Sequence, residues 1–148
     1  MGLIHVIAHV TSVNRMLLMA VTSMLTGQIL KFLIDALRSR RFKLSRLLEP
    51  GGMPSSHSAM VSSLATAVGL THGWNSDLFA VASVFALIVL YDAMSIRRAV
   101  GLQAGVINFL LSSGHDETRK PLRERLGHTP LEVLAGAVRG ILFTWFFY

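Results

Sequence analysis

The sequence predicts an all-α protein, a polytopic membrane bundle of four to five transmembrane or re-entrant helices. Three observations predict it. Hydrophobic residues make up 52% of the 148 and charged residues 15%, against about a quarter charged in soluble domains. Apolar runs near the roughly 20 residues that cross a bilayer recur along the chain. The positive charge, a net +6, gathers between those runs. The length suits one domain over residues 1–148, and the mean hydropathy is +0.54. The absence of cysteine excludes disulfides, zinc-thiolate sites and thiol nucleophiles.

The first span is expected over 16–36, from Met16-Leu17-Leu18 through Ile34, with Lys31 near its end. A second is expected over 57–72 and a third, the cleanest, over 78–95. The stretch 99–113 is apolar but short, which suits a tilted, re-entrant or short helix. The last span is expected over 131–148, ending in an aromatic cluster that suits a membrane interface. Residues 3–14 are too short to span and extend the first helix in this reading. The N-terminus lacks the basic region of a cleavable signal, and Val6 breaks a myristoylation motif. Gly101-x3-Gly105 and Gly136-x3-Gly140 have the small-residue spacing that lets two helices approach closely.

Arg38, Arg40, Arg41, Lys43 and Arg46 crowd one loop, Arg97 and Arg98 follow the third span, and Arg119, Lys120, Arg123 and Arg125 precede the last. The turn His72–Asp77 has neither Lys nor Arg. The first two basic groups fall on one side, and the third joins them if 99–113 does not cross. The positive-inside rule makes that side cytoplasmic, although cations recruited to hold phosphate would give the same distribution.

Three segments carry chemistry. Gly51-Gly52-Met53-Pro54-Ser55-Ser56-His57-Ser58-Ala59 opens an apolar helix with a proline in its first turn, two hydroxyls and an imidazole. Such a start aims unpaired N–H groups at one spot and favours an anion. Lys31 and Arg38, seven apart, share a helix face about 10 Å apart along the axis. Each is also explained by snorkelling at a span end. Asp92 precedes Arg97 and Arg98, whose planar forks match phosphate oxygens; Asp92 either neutralises an arginine or orients a histidine. In Gly127-His128-Thr129-Pro130-Leu131-Glu132, Thr129 and Glu132 have capping-box spacing, so Glu132 is explained by helix capping alone, whereas the box does not need His128.

Together these residues resemble the superfamily of type 2 phosphatidic acid phosphatases and vanadium haloperoxidases, in its divergent branch of small membrane proteins. Lys31-x6-Arg38 matches the first family motif with Ser39 for its proline, and Pro54-Ser55-Ser56-His57 the second with serine for glycine. His128-x3-Glu132 matches the end of the third, with glutamate for aspartate and with its arginine half displaced to Arg97-Arg98. The resemblance covers about residues 25–140. It implies that His128 is a nucleophile forming a phosphohistidine, that Glu132 or else Asp92 orients it, and that His57 is general acid and then base. Lys31, Arg38, Arg97 or Arg98, Ser55 and Ser56 would then hold the phosphoryl oxygens, with no metal or other cofactor. The implied partners are the bilayer and a lipid phosphate or prenyl diphosphate, with no nucleic acid. A chain this short, with four or five spans, is separately expected to form a homodimer that completes its lipid groove.

Two other readings stand beside the phosphatase. A non-catalytic binder or transporter of a phosphorylated lipid would use the same cations without the histidines, and an assembly protein would depend on the paired glycines. His5, His9, His72 and His115 are unassigned, and His115-Asp116-Glu117 reads as a solvated loop because adjacent residues do not readily converge on one ion.

Overall fold

The structure, a computed structural model, describes residues 14–39, 53–113, 120–124 and 126–148. Five helices account for nearly all of them, and there is no strand among the described residues: α1 (Arg15–Ser39), α2 (Ser56–His72), α3 (Asp77–Met94), α4 (Ile96–Ser113) and α5 (Pro130–Phe147). Their bounds lie within three residues of those expected. The basic residues Arg40, Arg41, Lys43, Arg46, Arg119 and Arg125, the glycines Gly51 and Gly52, and His5, His9 and His115 lie outside the described residues, as does the side chain of Arg38.

Local chemistry sets the helix ends. Asn14 Oδ1 accepts the Leu17 N–H at 3.1 Å and starts α1; the expected extension through 3–14 otherwise lies outside the described residues. Ser55 is the N-cap of α2, its hydroxyl accepting from the Ser58 N–H at 3.4 Å and the Ser58 hydroxyl at 2.8 Å. This corrects the expected place of Pro54. It precedes the cap, joined to Met53 by a cis peptide, because Ser55 supplies the cap and the helix begins after it. Gly73, at φ +88° and ψ 149°, a backbone conformation open to glycine, ends α2, with its N–H donating to Gly69 O at 3.0 Å. The Ser76 hydroxyl caps α3 through Phe79 N–H, and Ser95 separates α3 from α4 by a single residue. At α5 the capping box is complete, with Thr129 Oγ1 accepting the Glu132 N–H and Glu132 Oε2 accepting the Thr129 N–H.

Among the described residues three stretches are long and apolar enough to cross a membrane: Arg15–Leu37, Asp77–Ser112 and Pro130–Phe147. At 17 residues α2 is shorter, and it occupies the centre, packed on α1, α3 and α5. Its buried side chains are mostly Ser, Ala, Thr and Val, so contact comes from close backbone approach rather than apolar bulk. A Cβ on Gly136 would lie 2.4 Å from Ser55 O, and one on Gly140 2.2 Å from Ala59 O. The expected helix approach at Gly136-x3-Gly140 is therefore present, between α5 and α2. The Gly101-x3-Gly105 expectation is corrected. Those glycines face Glu124 and Leu126, which lie outside any helix, not a second helix. Large apolar side chains such as Leu87, Ile88 and Phe146 point outward, as they do in a protein solvated by lipid.

The bundle has two ends. At one, the Thr71 hydroxyl meets the Tyr148 hydroxyl and the Arg15 guanidinium stacks over the Tyr148 ring. The other gathers the starts of α2 and α5 and the α3–α4 junction, which are tied by backbone hydrogen bonds. Ser55 N–H donates to Glu132 O at 3.3 Å, and His128 N–H to Ala93 O at 3.0 Å.

Candidate active site

At this second end a cavity of about 180 Å³ is lined by His57, Val89, Ala93, Ile96, Arg97, Val100, Leu126, Gly127 and His128. His57 reaches it from the first turn of α2 and is exposed at its rim. His128 is held from both sides in sequence. Gly127 has φ +79°, and a Cβ there would lie 2.3 Å from Arg98 N and 2.7 Å from Arg97 C, so only glycine lets the chain press against the α4 backbone. The next residue is then bonded to the end of α3 through its own N–H.

Glu132 serves two groups at once. Its Oε2 accepts the Thr129 N–H at 2.8 Å and lies 3.5 Å from His128 Nδ1. That second distance is ion-pair range rather than an aligned hydrogen bond. Burial pushes the His128 imidazole below its ordinary value of 6.5, partly opposed by the Glu132 carboxylate; Lys31 and His57 push in the same direction as burial. The ring is therefore neutral at pH 7.

The other expected residues divide. Lys31 is buried, at 7% exposure, within electrostatic reach of both His57 and His128. Arg97 lines the cavity, and its Nε donates to Asp92 Oδ2 at 2.6 Å. Asp92 thus faces an arginine, and the carboxylate facing His128 is that of Glu132. Ser55 and Ser56 are buried with their hydroxyls engaged elsewhere, Ser55 in the α2 cap and Ser56 donating to Gln28 Oε1 at 2.7 Å. Neither hydroxyl lines the cavity. Arg98 is exposed and contributes its backbone to the Gly127 contact. Among the described residues no group of three or more His, Asp or Glu side chains is placed to hold a metal ion.

One polar residue escaped the sequence reading. Arg139 sits midway along α5, where its Nη1 donates to Ser23 O of α1 at 2.8 Å, its Nη2 donates to Thr26 Oγ1, and its guanidinium lies 5.9 Å from the Phe143 ring centroid. The signal was a lone arginine inside an 18-residue apolar run.

The chain is 41% identical over 145 residues to an uncharacterized membrane protein, YuiD, of Bacillus subtilis (strain 168), an alignment covering 88% of this chain and 92% of the relative. No solved structure matches. Residues 12–143, which include both histidines, Glu132, Lys31 and the α3–α4 junction, match the profile described as the Divergent PAP2 family. On that match this integral membrane protein belongs to the Divergent PAP2 family.

Proposed function

We propose that the chain is a metal-independent phosphatase or diphosphatase acting on a lipid phosphate or prenyl diphosphate at the membrane surface. The observation that carries this reading is one cavity lined by His57, Arg97 and His128, with the Glu132 carboxylate 3.5 Å behind His128 Nδ1. Nδ1 is the nitrogen turned to the carboxylate, so the tautomer assigned from that contact carries its proton there and leaves the Nε2 lone pair for attack. In the first step an Nε2–P bond forms as the P–O bond to the leaving group breaks, and His57, protonated once the negative charge of the bound phosphate favours its imidazolium, gives its proton to the departing oxygen. The neighbouring carboxylate stabilises the positive charge that develops on His128, and their contact tightens as it does. In the second step His57, now neutral, takes a proton from water as its oxygen attacks phosphorus, the P–N bond breaks, and phosphate leaves. Lys31 and Arg97 balance the charge on the phosphoryl oxygens, with Arg38 and Arg98 as outer candidates, while Ser55 and Ser56 keep their places in the cap and against Gln28. Val89, Ala93 and Val100 line the cavity floor toward the bilayer, where a lipid tail belongs. By the positive-inside rule the site faces the cytoplasm.

The test is phosphate release in EDTA by detergent-purified protein from a panel of lipid phosphates and prenyl diphosphates. Turnover should fall at least about 100-fold in His57→Ala and more steeply in His128→Ala. If no substrate turns over while a phosphorylated lipid binds equally well to both variants, the chain is a binder or transporter.

A further inference from the structure

The apolar stretch Asp77–Ser112 includes all of α3 and nearly all of α4, and its composition alone is compatible with crossing from either helix. The segment after α4 decides between them. Residues 120–124 and Leu126 run back along α4 outside any helix or strand. The Asn108 side chain grips the backbone of Leu122, donating to its carbonyl at 2.9 Å and accepting its N–H at 2.8 Å, and also donates to Glu124 Oε1 at 2.8 Å. Seven residues nearer the start of α4, a Cβ on Gly101 would lie 2.6 Å from Glu124 O and 2.7 Å from Leu126 O. The segment therefore follows about 10 Å of the helix before Gly127 meets Arg97 and Arg98.

We propose that α4 does not cross the bilayer but lies in its interfacial layer, with segment 120–124 toward the lipid headgroups. Non-helical, unpaired backbone facing hydrocarbon has no partner for its polar groups and is not found there. Lys120 and Arg123, on this segment, are exposed. On the other side of α4, Leu102, Val106 and Leu110 are 66%, 60% and 63% exposed. At 100° per residue they lie roughly 60–180° around the helix from Gly101, Gly105 and Asn108. One face carrying polar chain and cations, with an apolar face opposite, is the form of a helix lying in the membrane surface. Arg97, Arg98, Lys120 and Arg123 give this unit a positive edge complementary to anionic headgroups. Among the described helices α4 packs on α3 alone, the least contacted place in the bundle. Because Ile96, Arg97, Val100, Leu126 and Gly127 also wall the cavity, the cavity opens at headgroup depth, whether or not it turns over substrate.

The chain has no cysteine, so single-cysteine variants of the full-length protein report unambiguously. Met53→Cys, Asn75→Cys and Lys120→Cys are labelled with a membrane-impermeant maleimide in spheroplasts and in inverted vesicles, with Arg123→Cys as the substitute should Lys120→Cys not accumulate. Lys120→Cys should label from the same side as Met53→Cys and the opposite side to Asn75→Cys. Bimane on Val106→Cys should be quenched more by shallow than by deep nitroxide lipids, with the reverse order at Val84→Cys on α3. Labelling of Lys120→Cys together with Asn75→Cys would mean that α4 crosses, and would overturn the proposal. Bimane at Val106→Cys shielded from every lipid quencher would overturn it too, by placing a second copy of the chain or another protein on that face.

Discussion

Replacing Gly140 by alanine tests the contact on which the site depends. The new Cβ would sit 2.2 Å from Ala59 O and 2.9 Å from both Ala59 C and Cα. These are backbone atoms of a central helix, so no side chain can turn aside. Carbon does not come within 3.0 Å of such an oxygen, so α5 and α2 must part by about 0.8 Å. That separation takes the Ser55–Glu132 backbone bond, already 3.3 Å, past bonding range and stretches the buried Ser63–Thr144 hydroxyl contact from 2.6 Å. Overpacking costs about 1–3 kcal/mol and each weakened hydrogen bond about 1 kcal/mol. Alanine's better helix propensity returns about 1 kcal/mol. The net is a destabilisation of about 2–4 kcal/mol, read by reversible unfolding in mixed micelles. Gly105→Ala supplies the control, because its Cβ would find only the Glu124 side chain at 3.7 Å or beyond; that variant should be neutral or gain up to about 1 kcal/mol. Equal stability of Gly140→Ala and the parent, or equal damage from both substitutions, would refute the packing argument.

Thr129→Ala should cost about 1 kcal/mol of stability by removing one half of the α5 cap. Glu132→Gln keeps an acceptor for Thr129 N–H, so it should lose activity with much less loss of stability; melting curves beside phosphate-release assays separate the two roles. Arg139→Met should destabilise by about 1–3 kcal/mol through its lost bonds to Ser23 and Thr26. Arg139→Lys should recover only part, because an ammonium lacks the planar fork, and unchanged melting of Arg139→Met would show that the tie is idle. Burial holds the His128 pKa below 6.5, so in the window between its folded value and 6.5 the unfolded chain binds more protons than the folded one. Its contribution to stability is therefore full above 6.5 and is lost as pH falls through that window. The difference in melting temperature between the parent and His128→Gln, measured across about pH 5–8, should grow in the parent's favour as pH rises, and a difference shrinking with pH would contradict the burial argument.

The sequence was most legible where the determinants are local. Helix limits follow from apolar run length and from Asn14, Ser76 and Thr129, each acting within three residues of itself. The Thr129–Glu132 box was readable for the same reason. Spacing shows which residues share a face but not what covers it. Gly101-x3-Gly105 and Gly136-x3-Gly140 are the same pattern, yet one receives a non-helical chain and the other a helix. Ser55 and Ser56 stand beside His57 in sequence, but the helix start turns their hydroxyls to the cap and to Gln28. Arg139 was overlooked because its partners, Ser23 and Thr26, lie more than a hundred residues away.

The composition of α2 has a consequence for how the protein enters its membrane. Six of its 17 residues carry hydroxyls and two are histidines, so on leaving the translocon this segment gains little from partitioning into lipid on its own. Its retention depends on α1 and α3 arriving around it and on the Gly136 and Gly140 surface of α5 closing against it. The imidazole of His57 thus rides on a passenger helix. It meets His128 only once the downstream span has been threaded, so a half-inserted chain holds the parts of the pocket without the pocket itself.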